Sequence, residues 1–195
     1  MERETGIEPA TNGLGSRDST TELLPLRPFN ITSRASIVAK NTRRGAPEIM
    51  ALVIRQSKIH SHGCYTTRPI RKGKTLAEYT GVRISVEDAD ELYESIPETY
   101  LFGLSDGKYV IDGDGIAAFI NHSCNPNCEP DEKDGKVFIV ALRDIKAGEE
   151  LTYDYNLYDG ELDDPASCFC GAINCRGSMY AEDELAKRTK LSAHP

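Results

Sequence analysis

The stretch A-F-I-N-H-S-C-N-P-N-C-E, Ala118 to Glu129, cannot be an ordinary strand. An apolar Phe119-Ile120 enters it, and then Asn121, His122, Ser123, Asn125 and Asn127 crowd polar groups around Pro126. Proline has no N–H to give to a central ladder, and clustered Asn, Ser and Pro mark a turn. Read alone, Asn-His-Ser is a satisfied turn. If the stretch is buried, its amides and imidazole need hydrogen-bond partners, which the polar edge of a cofactor would supply. It also carries two of the six cysteines, Cys124 and Cys128.

Three further cysteines fall in C-F-C-G-A-I-N-C-R-G, Cys168 to Gly177. A tetrahedral zinc site closed by protein ligands needs four donors, so Cys168, Cys170 and Cys175 require one more from Cys64, Cys124 or Cys128. Spacing alone does not choose among them. No charged-then-apolar signal peptide is recognisable, and the longest apolar run near the front, I-M-A-L-V-I, is too short to span a bilayer. The reading is a soluble protein of a reducing compartment, with no membrane partner, where C-x-C-x4-C denotes metal ligands rather than disulfides.

The chain has 195 residues, 39% of them hydrophobic, and no tryptophan, enough for one domain with a core and a tail. Its net charge of -8 is unevenly placed: residues 1–49 carry seven Lys/Arg against six Asp/Glu, leaving -9 from Met50 onward. An acidic domain repels phosphate backbones and attracts cations. A basic protein or peptide is therefore the expected partner, and direct nucleic-acid binding is not expected. The plainer use of such charge is solubility.

Residues 1–49 are rich in Thr, Ser, Asn, Arg, Gly and Pro without a sustained apolar period, so they are expected to form a disordered leader. From Met50 onward, A-L-V-I-R-Q, T-L-A-E-Y-T, Y-L-F-G-L, K-Y-V-I-D, K-V-F-I-V-A-L and E-L-T-Y-D-Y read as short strands between glycine turns. Asp106-Gly107 and Asp134-Gly135 are expected to supply the positive φ angles of tight hairpins. Two helices are predicted. Ser85 can cap S-V-E-D-A-D-E-L-Y-E-S ahead of Pro97, and A-E-D-E-L-A-K-R-T-K-L places acids first and bases last, matching the helix dipole. R-P-I-R-K-G-K-T-L (Arg68–Leu76) and R-D-I-K-A-G-E-E-L (Arg143–Leu151) share one pattern, R-x-I-[RK]-x-G-x-x-L. Two distant copies indicate reused local geometry rather than a solenoid.

Taken in order, S-K-I-H-S-H-G-C-Y, Y-L-F, F-I-N-H-S-C-N-P-N-C, G-E-E-L-T-Y-D-Y-N and C-F-C-G-x4-C-R-G resemble a SET-domain protein-lysine methyltransferase with a post-SET zinc motif, over about Met50 to Ser178. The resemblance implies a mostly β fold, the SET β-clip: several small sheets, a few short helices, a pseudoknot joining the N-H-S-C and Y-D-Y segments, and a zinc-bound post-SET loop. It implies a SET domain over 50–163, a post-SET segment over 164–180, and a C-terminal helix and tail over 181–195. The leader's E-T-G-I-E-P-A-T-N-G-L-G-S-R-D-S-T-T-E-L-L-P resembles peptide at the front of over-extended bacterial gene starts. A short bacterial type beginning at Met50 is therefore expected, either cytoplasmic or exported to a host nucleus.

The resemblance also implies the ligand set and the roles. Cys124 joins Cys168, Cys170 and Cys175 around one structural zinc, leaving Cys64 and Cys128 as buried small residues. S-adenosyl-L-methionine is the implied cofactor, with His60, His62, Gly63, Tyr100, Asn121 and His122 on its side of the site, and Gly63 where backbone must approach it closely. Tyr155 matches the family's catalytic tyrosine, with Tyr153 and Tyr100 beside it, and Phe102 and Tyr153 line the substrate channel. A tyrosine at 153 implies monomethylation. Ser61 departs from the family's G-x-G, Ala118 replaces a common arginine, and Gly115 stands where asparagine is usual. The expected function is methyl transfer to a lysine amine in a basic, histone-like protein. The alternative is a catalytically weak, zinc-stabilised module that binds basic peptides.

Overall fold

Glycine and proline cut the apolar runs short, and among the described residues no strand exceeds six residues, so the sheets are small. The computed structural model describes residues 52–94, 100–158, 160 and 164–192. The expected leader, Met50 and the helix stop at Pro97 lie outside the described residues.

The first hairpin joins β1 (Leu52–Gln56) to β2 (His62–Thr66) in antiparallel register, with Leu52 opposite Thr66. Next come β3 (Thr75–Glu78) and β4 (Gly81–Ser85), which runs directly into α1 (Val86–Tyr93). Ser85 caps that helix as predicted, its Oγ accepting from the Asp88 N–H at 3.0 Å. After β5 (Leu101–Gly103) and β6 (Tyr109–Gly113), the central strand β6 holds β4 on one side and β5 on the other. A 3-10 turn, Ile116–Phe119, leads into β7 (Asn121–His122). The chain continues through β8 (Cys128–Lys133), β9 (Lys136–Ala141) and β10 (Thr152–Tyr153) to α2 (Glu182–Ser192). Strand β9 lies between β3 and β8, and β10 pairs with β7 in parallel. The fold is the expected one, mostly β in several small sheets with two short helices.

Strand β9 shows why the core sits where it does. K-V-F-I-V-A alternates, and Val137, Ile139 and Ala141 point inward. They join Ile70, Leu76, Leu104, Ile120, Ile145 and Leu151 in one buried cluster. Among the described residues four strands escaped the sequence reading, the two-residue β7 among them. Strand β8, C-E-P-D-E-K, is acidic and contains Pro130, tolerable because β8 is the edge of its sheet. Strands β2 and β4 are H-G-C-Y-T and G-V-R-I-S, each weakened by a glycine. Conversely, the predicted strand E-L-T-Y-D-Y contributes only Thr152 and Tyr153 to a ladder.

The two Asp-Gly turns differ. Asp134 and Gly135 take φ of 52° and 70°, joining β8 to β9 by the expected two-residue hairpin. At the other, only Gly107 has positive φ. Asp106 instead accepts from the backbone N–H groups of Lys108 and Tyr109 at 2.9 and 3.2 Å, so its side chain closes the longer turn.

The repeated R-x-I-[RK]-x-G-x-x-L segments pair with each other. Ile70 and Ile145 exchange two backbone hydrogen bonds of 2.8 Å. Around them backbone bonds recur at the same offset: Gly73 N–H to Ala141 O matches Gly148 N–H to Thr66 O, and Lys74 N–H to Arg71 O matches Glu149 N–H to Lys146 O. Both glycines are left-handed, at φ 77° and 81°. The echo in sequence is a local two-fold axis that clips β2–β3 to β9–β10.

One strained residue lies on the way to the site. In the loop between β1 and β2, Ser57 N–H donates to Ser61 O at 3.0 Å, and Ser61 takes φ 36°. That left-handed conformation costs a non-glycine residue about 1 kcal/mol or more. Ser61→Gly is accordingly expected to stabilise the fold by about 0.5–1 kcal/mol, a rise in Tm of roughly 2–4 °C. Thermal unfolding checks this, and an unchanged or lower Tm contradicts the strain.

Candidate active site and metal centre

The polar stretch that opened the sequence is buried, and its partners are the strand beside it. Asn121 pairs with Thr152 and His122 with Tyr153, in parallel. Ser123 N–H donates to Tyr153 O at 3.1 Å, and Asn127 N–H to Thr152 O at 3.2 Å. The Asn127 side chain completes the crossing. Its Oδ1 accepts from Thr152 N–H at 2.8 Å, while its Nδ2 donates to Glu150 O at 2.7 Å and to Glu149 Oε1 at 3.1 Å. These bonds satisfy backbone groups that two-residue strands cannot pair by themselves.

Beyond the ladder the chain turns outward, and Tyr155 N–H donates to His122 Nδ1 at 3.1 Å. Burial pushes the His122 imidazole down to about 4, with Asp154 opposing and Arg176 assisting. It is therefore neutral near pH 7. Since Nδ1 accepts, the proton resides on Nε2, which faces Cys124 Sγ at 3.4 Å. Asp154 Oδ1 lies 3.5 Å from Nδ1, but with a neutral ring this is not an ion pair.

His122 and Tyr155 thus meet, their rings edge-on at 5.3 Å, while Asn121, next to His122 in β7, directs its side chain to the 57–63 loop. Tyr153 packs on Tyr155 at 4.9 Å between ring centres, and Phe102 on Tyr153 at 6.2 Å. Tyr100 lies against Phe119 at 5.6 Å, and Tyr79, absent from the sequence reading, packs on Phe102 at 5.2 Å. Tyr79 was legible only as the fifth residue of a predicted strand. Its hydroxyl donates to Tyr100 O at 2.8 Å, fixing the wall opposite Tyr155. Burial raises the hydroxyls of Tyr79, Tyr153 and Tyr155 well above the usual phenol range. All three stay protonated at neutral pH, and Tyr155 donates to Ile120 O at 3.0 Å. From Phe102 a groove of about 420 Å³ runs outward past Leu104, Pro130, Glu132 and Tyr158.

On the other side of Asn121 lies the 57–63 loop. Asn121 Nδ2 donates to His62 O at 3.1 Å and Glu150 Oε1 at 2.9 Å, and approaches His60 O at 3.4 Å. The backbone of His60 and His62, not their rings, therefore meets Asn121. Gly63 has a specific reason to lack a side chain: a Cβ there would lie 2.1 Å from Glu150 Oε1. The close neighbour that the structure gives Gly63 is a carboxylate of the chain itself. Gly115 is similarly constrained, since a Cβ would sit 2.3 Å from Thr80 Oγ1.

The four predicted zinc ligands come together. The Sγ atoms of Cys124, Cys168, Cys170 and Cys175 all lie within 4.8 Å of one another. Cys124 and Cys168 are 3.8 Å apart, and Cys168 and Cys175 3.7 Å. Zinc–thiolate bonds of about 2.3 Å in a tetrahedron give edges of about 3.8 Å, so the set fits one zinc ion. Burial resists ionisation of Cys170, but backbone hydrogen bonding at Ala172 and the neighbouring sulfurs hold its thiol down to about 6. Cys64 and Cys128 are fully buried elsewhere, and burial pushes both up to about 12. Arg176 binds Asp154 bidentately, at 2.6 and 2.8 Å, while its backbone N–H donates to Cys124 Sγ at 3.4 Å. The cysteine cluster is thereby tied to the residue between Tyr153 and Tyr155.

Residues 61–156 match the family model described as the SET domain. The chain is 38% identical over 165 residues to a "Histone-lysine N-methyltransferase, H3 lysine-4 specific" of Candida albicans, covering 76% of this chain and 15% of that protein. It is 41% identical over 138 residues to the protein so named in Saccharomyces cerevisiae, covering 64% of this chain and 13% of that protein. A histone-lysine N-methyltransferase of Arabidopsis thaliana is 44% identical over 135 residues, covering 63% of this chain and 9% of that protein. The chain therefore spans a small fraction of each relative's length. The family match covers the 3-10 turn, the β7–β10 crossing and Tyr155, so the region similar to the SET domain includes the candidate site.

Proposed function

We propose that this chain transfers a methyl group from S-adenosyl-L-methionine to a lysine side-chain amine of a basic, histone-like protein. The observation that carries the reading is the meeting of His122 and Tyr155 at the β7–β10 crossing, with Tyr155 N–H on His122 Nδ1 at 3.1 Å and Asn121 beside His122 in β7. The names of the relatives support the reaction class and suggest a histone substrate. The acidic balance of the chain suits a cationic partner.

The chemistry expected of the residues follows from their protonation. Bound S-adenosylmethionine supplies the methyl group on a positively charged sulfur. The residues that would hold it are Asn121, His122, Tyr100 and the 60–63 backbone, whose amide and carbonyl groups suit its polar ends. A lysine amine must arrive neutral to act as nucleophile, and Tyr79, Phe102, Tyr153 and Tyr155 form a desolvated aromatic lining that disfavours the ammonium form. Because burial raises the Tyr155 hydroxyl, this phenol is a poor base. Solvent takes the amine proton before the substrate seats. Tyr155 then orients the amine through its oxygen while its own proton is held by Ile120 O. The oxygens of Tyr155 and Ile120, 3.0 Å apart, would offset positive charge at a reacting centre bound beside them. The Tyr153 hydroxyl takes room beside the amine, which favours monomethylation. The groove past Phe102 and Tyr158 is the approach for the lysine-bearing segment.

Residues 50–163 are read as the SET domain, 164–180 as a post-SET segment and 181–195 as a C-terminal helix and tail. Cys124 of the first region joins Cys168, Cys170 and Cys175 of the 164–180 segment in holding one structural zinc, which fastens a loop too small to bury its own core. A bacterial source, and with it a cytoplasmic or exported location, rests on the 1–49 segment, while the relatives named above are eukaryotic. The strain at Ser61 bears on donor affinity rather than on reaction class; the second reading is a catalytically weak, zinc-stabilised module that binds basic peptides.

A labelled methyl-transfer assay on a panel of basic proteins, with mass mapping of the product, separates the two readings. Transfer to lysine is expected. Donor binding without product on any member supports the second. Tyr155→Phe should reduce turnover about a hundredfold or more while retaining product binding, and equal turnover removes that hydroxyl from the mechanism. Metal analysis should find one zinc per chain, lost in Cys124→Ser and kept in Cys128→Ser. Equal zinc in both variants contradicts the ligand set.

A further inference from the structure

Glu150 stands at the junction of the two segments that the proposed function assigns to the methyl donor, and neither the sequence pattern nor the mechanism gives it a role. Its backbone forms an antiparallel bridge with Tyr65. That register carries its side chain back over Gly63, two residues away on the same face of β2. There the carboxylate gathers three donors. Oε1 accepts from Ser57 Oγ at 2.7 Å and from Asn121 Nδ2 at 2.9 Å, and Oε2 accepts from Tyr65 OH at 2.7 Å. Ser57 Oγ in turn accepts from Ile59 N–H at 2.9 Å, and Ser57 N–H donates to Ser61 O at 3.0 Å. The chain of bonds runs from Glu150 through Ser57 into the strained loop, and from Glu150 directly to the Asn121 amide.

Two features show that the junction is built rather than incidental. Any side chain at position 63 would collide with Glu150 Oε1, so the missing Cβ makes room for this carboxylate. Asn121 is 7% exposed, and its Nδ2 faces three acceptors: Glu150, His62 O and His60 O. Spending both amide protons on these acceptors turns the Asn121 Oδ1 the opposite way, where it can accept from a ligand.

We infer that Glu150 is a positioning residue for the methyl donor: it fixes the 57–63 loop and the orientation of the Asn121 amide, and so sets donor affinity without touching the reacting atoms. This rests on the methyl-donor reading of the site. Glu150→Gln keeps the size of the side chain but removes the charge and replaces one accepting oxygen with a donating amide, so the three donors can no longer all be accepted as they are by the carboxylate. Tyr65→Phe removes one hydrogen bond and leaves the carboxylate.

The test uses the full chain and S-adenosylhomocysteine, the demethylated product, as calorimetric probe. Glu150→Gln should weaken binding about tenfold, and Tyr65→Phe about threefold, in line with loss of one or more hydrogen bonds to a charged group. Exchange of the Ser57 and Ile59 amides in the ligand-free protein should accelerate about tenfold in Glu150→Gln. KM for the donor should rise while kcat at saturation stays within about threefold, a split that general destabilisation does not produce. If Glu150→Gln fails to fold, Tyr65→Phe decides, and unchanged affinity there overturns the proposal. Unchanged affinity and exchange in a folded Glu150→Gln also overturn it. If wild-type protein does not bind the probe at all, the methyl-donor reading is contradicted and this proposal falls with it.

Discussion

Everything at the site depends on two-residue strands that could not hold together by their own ladder. Asn121-His122 and Thr152-Tyr153 share a parallel pairing so short that most of its stability must come from outside. The buried side chain of Asn127 supplies it, by accepting from the Thr152 N–H and donating to the Glu150 carbonyl. Removing that amide would leave both backbone groups buried and unpaired, a cost of roughly 1–3 kcal/mol for each. The polar density of the N-H-S-C-N-P-N-C stretch has this purpose. Its side chains replace a sheet that the chain is too tightly crossed to form.

Several functions converge on the same crossing because its bonds leave the protein facing in both directions. Inward, the pairing sets Tyr153 and Tyr155 against Phe102 and Tyr79. Outward, the neutral His122 takes the Tyr155 N–H on one nitrogen and points the other at Cys124 Sγ. Asp154, between the two tyrosines, grips Arg176 of the cysteine loop. The cluster of four thiols therefore constrains the segment that carries Tyr155, and the Arg176 guanidinium that grips Asp154 also interacts with Cys124. Through Asp154 and Arg176 the cysteine cluster and the aromatic site are joined.

How much of this was legible follows from where the information resides. Helix α1 was readable from Ser85 and its acidic first turn because capping is local. Strand β9 was readable because one buried face imposes alternation. Strand β8 was not, since an edge strand tolerates Pro130 and three acids that propensity argues against. The repeat of R-x-I-[RK]-x-G-x-x-L was visible in sequence, but its pairing through Ile70 and Ile145 is a long-range contact with no local signature. In the site, Cys168, Cys170 and Cys175 were readable from their spacing, while the choice of Cys124 and the roles of the tyrosines came through the family resemblance. Gly63 was identified but given an incomplete reason, because nothing in H-S-H-G-C tells that a glutamate from a distant strand fills the space. Tyr79, Asp154 and Glu150 were missed for the same cause: each acts through a partner far away in sequence.

The central claim is that the crossing of 121–127 with 150–155 opens and closes as one cooperative unit pinned by Asn127. Native-state hydrogen exchange on Asn127→Ala addresses it most directly. The account predicts that the amides of Ser123, Thr152 and Tyr155 accelerate together, by about tenfold or more, although only Thr152 bonds to the altered side chain. Acceleration confined to Thr152, with Ser123 and Tyr155 as protected as before, would contradict it.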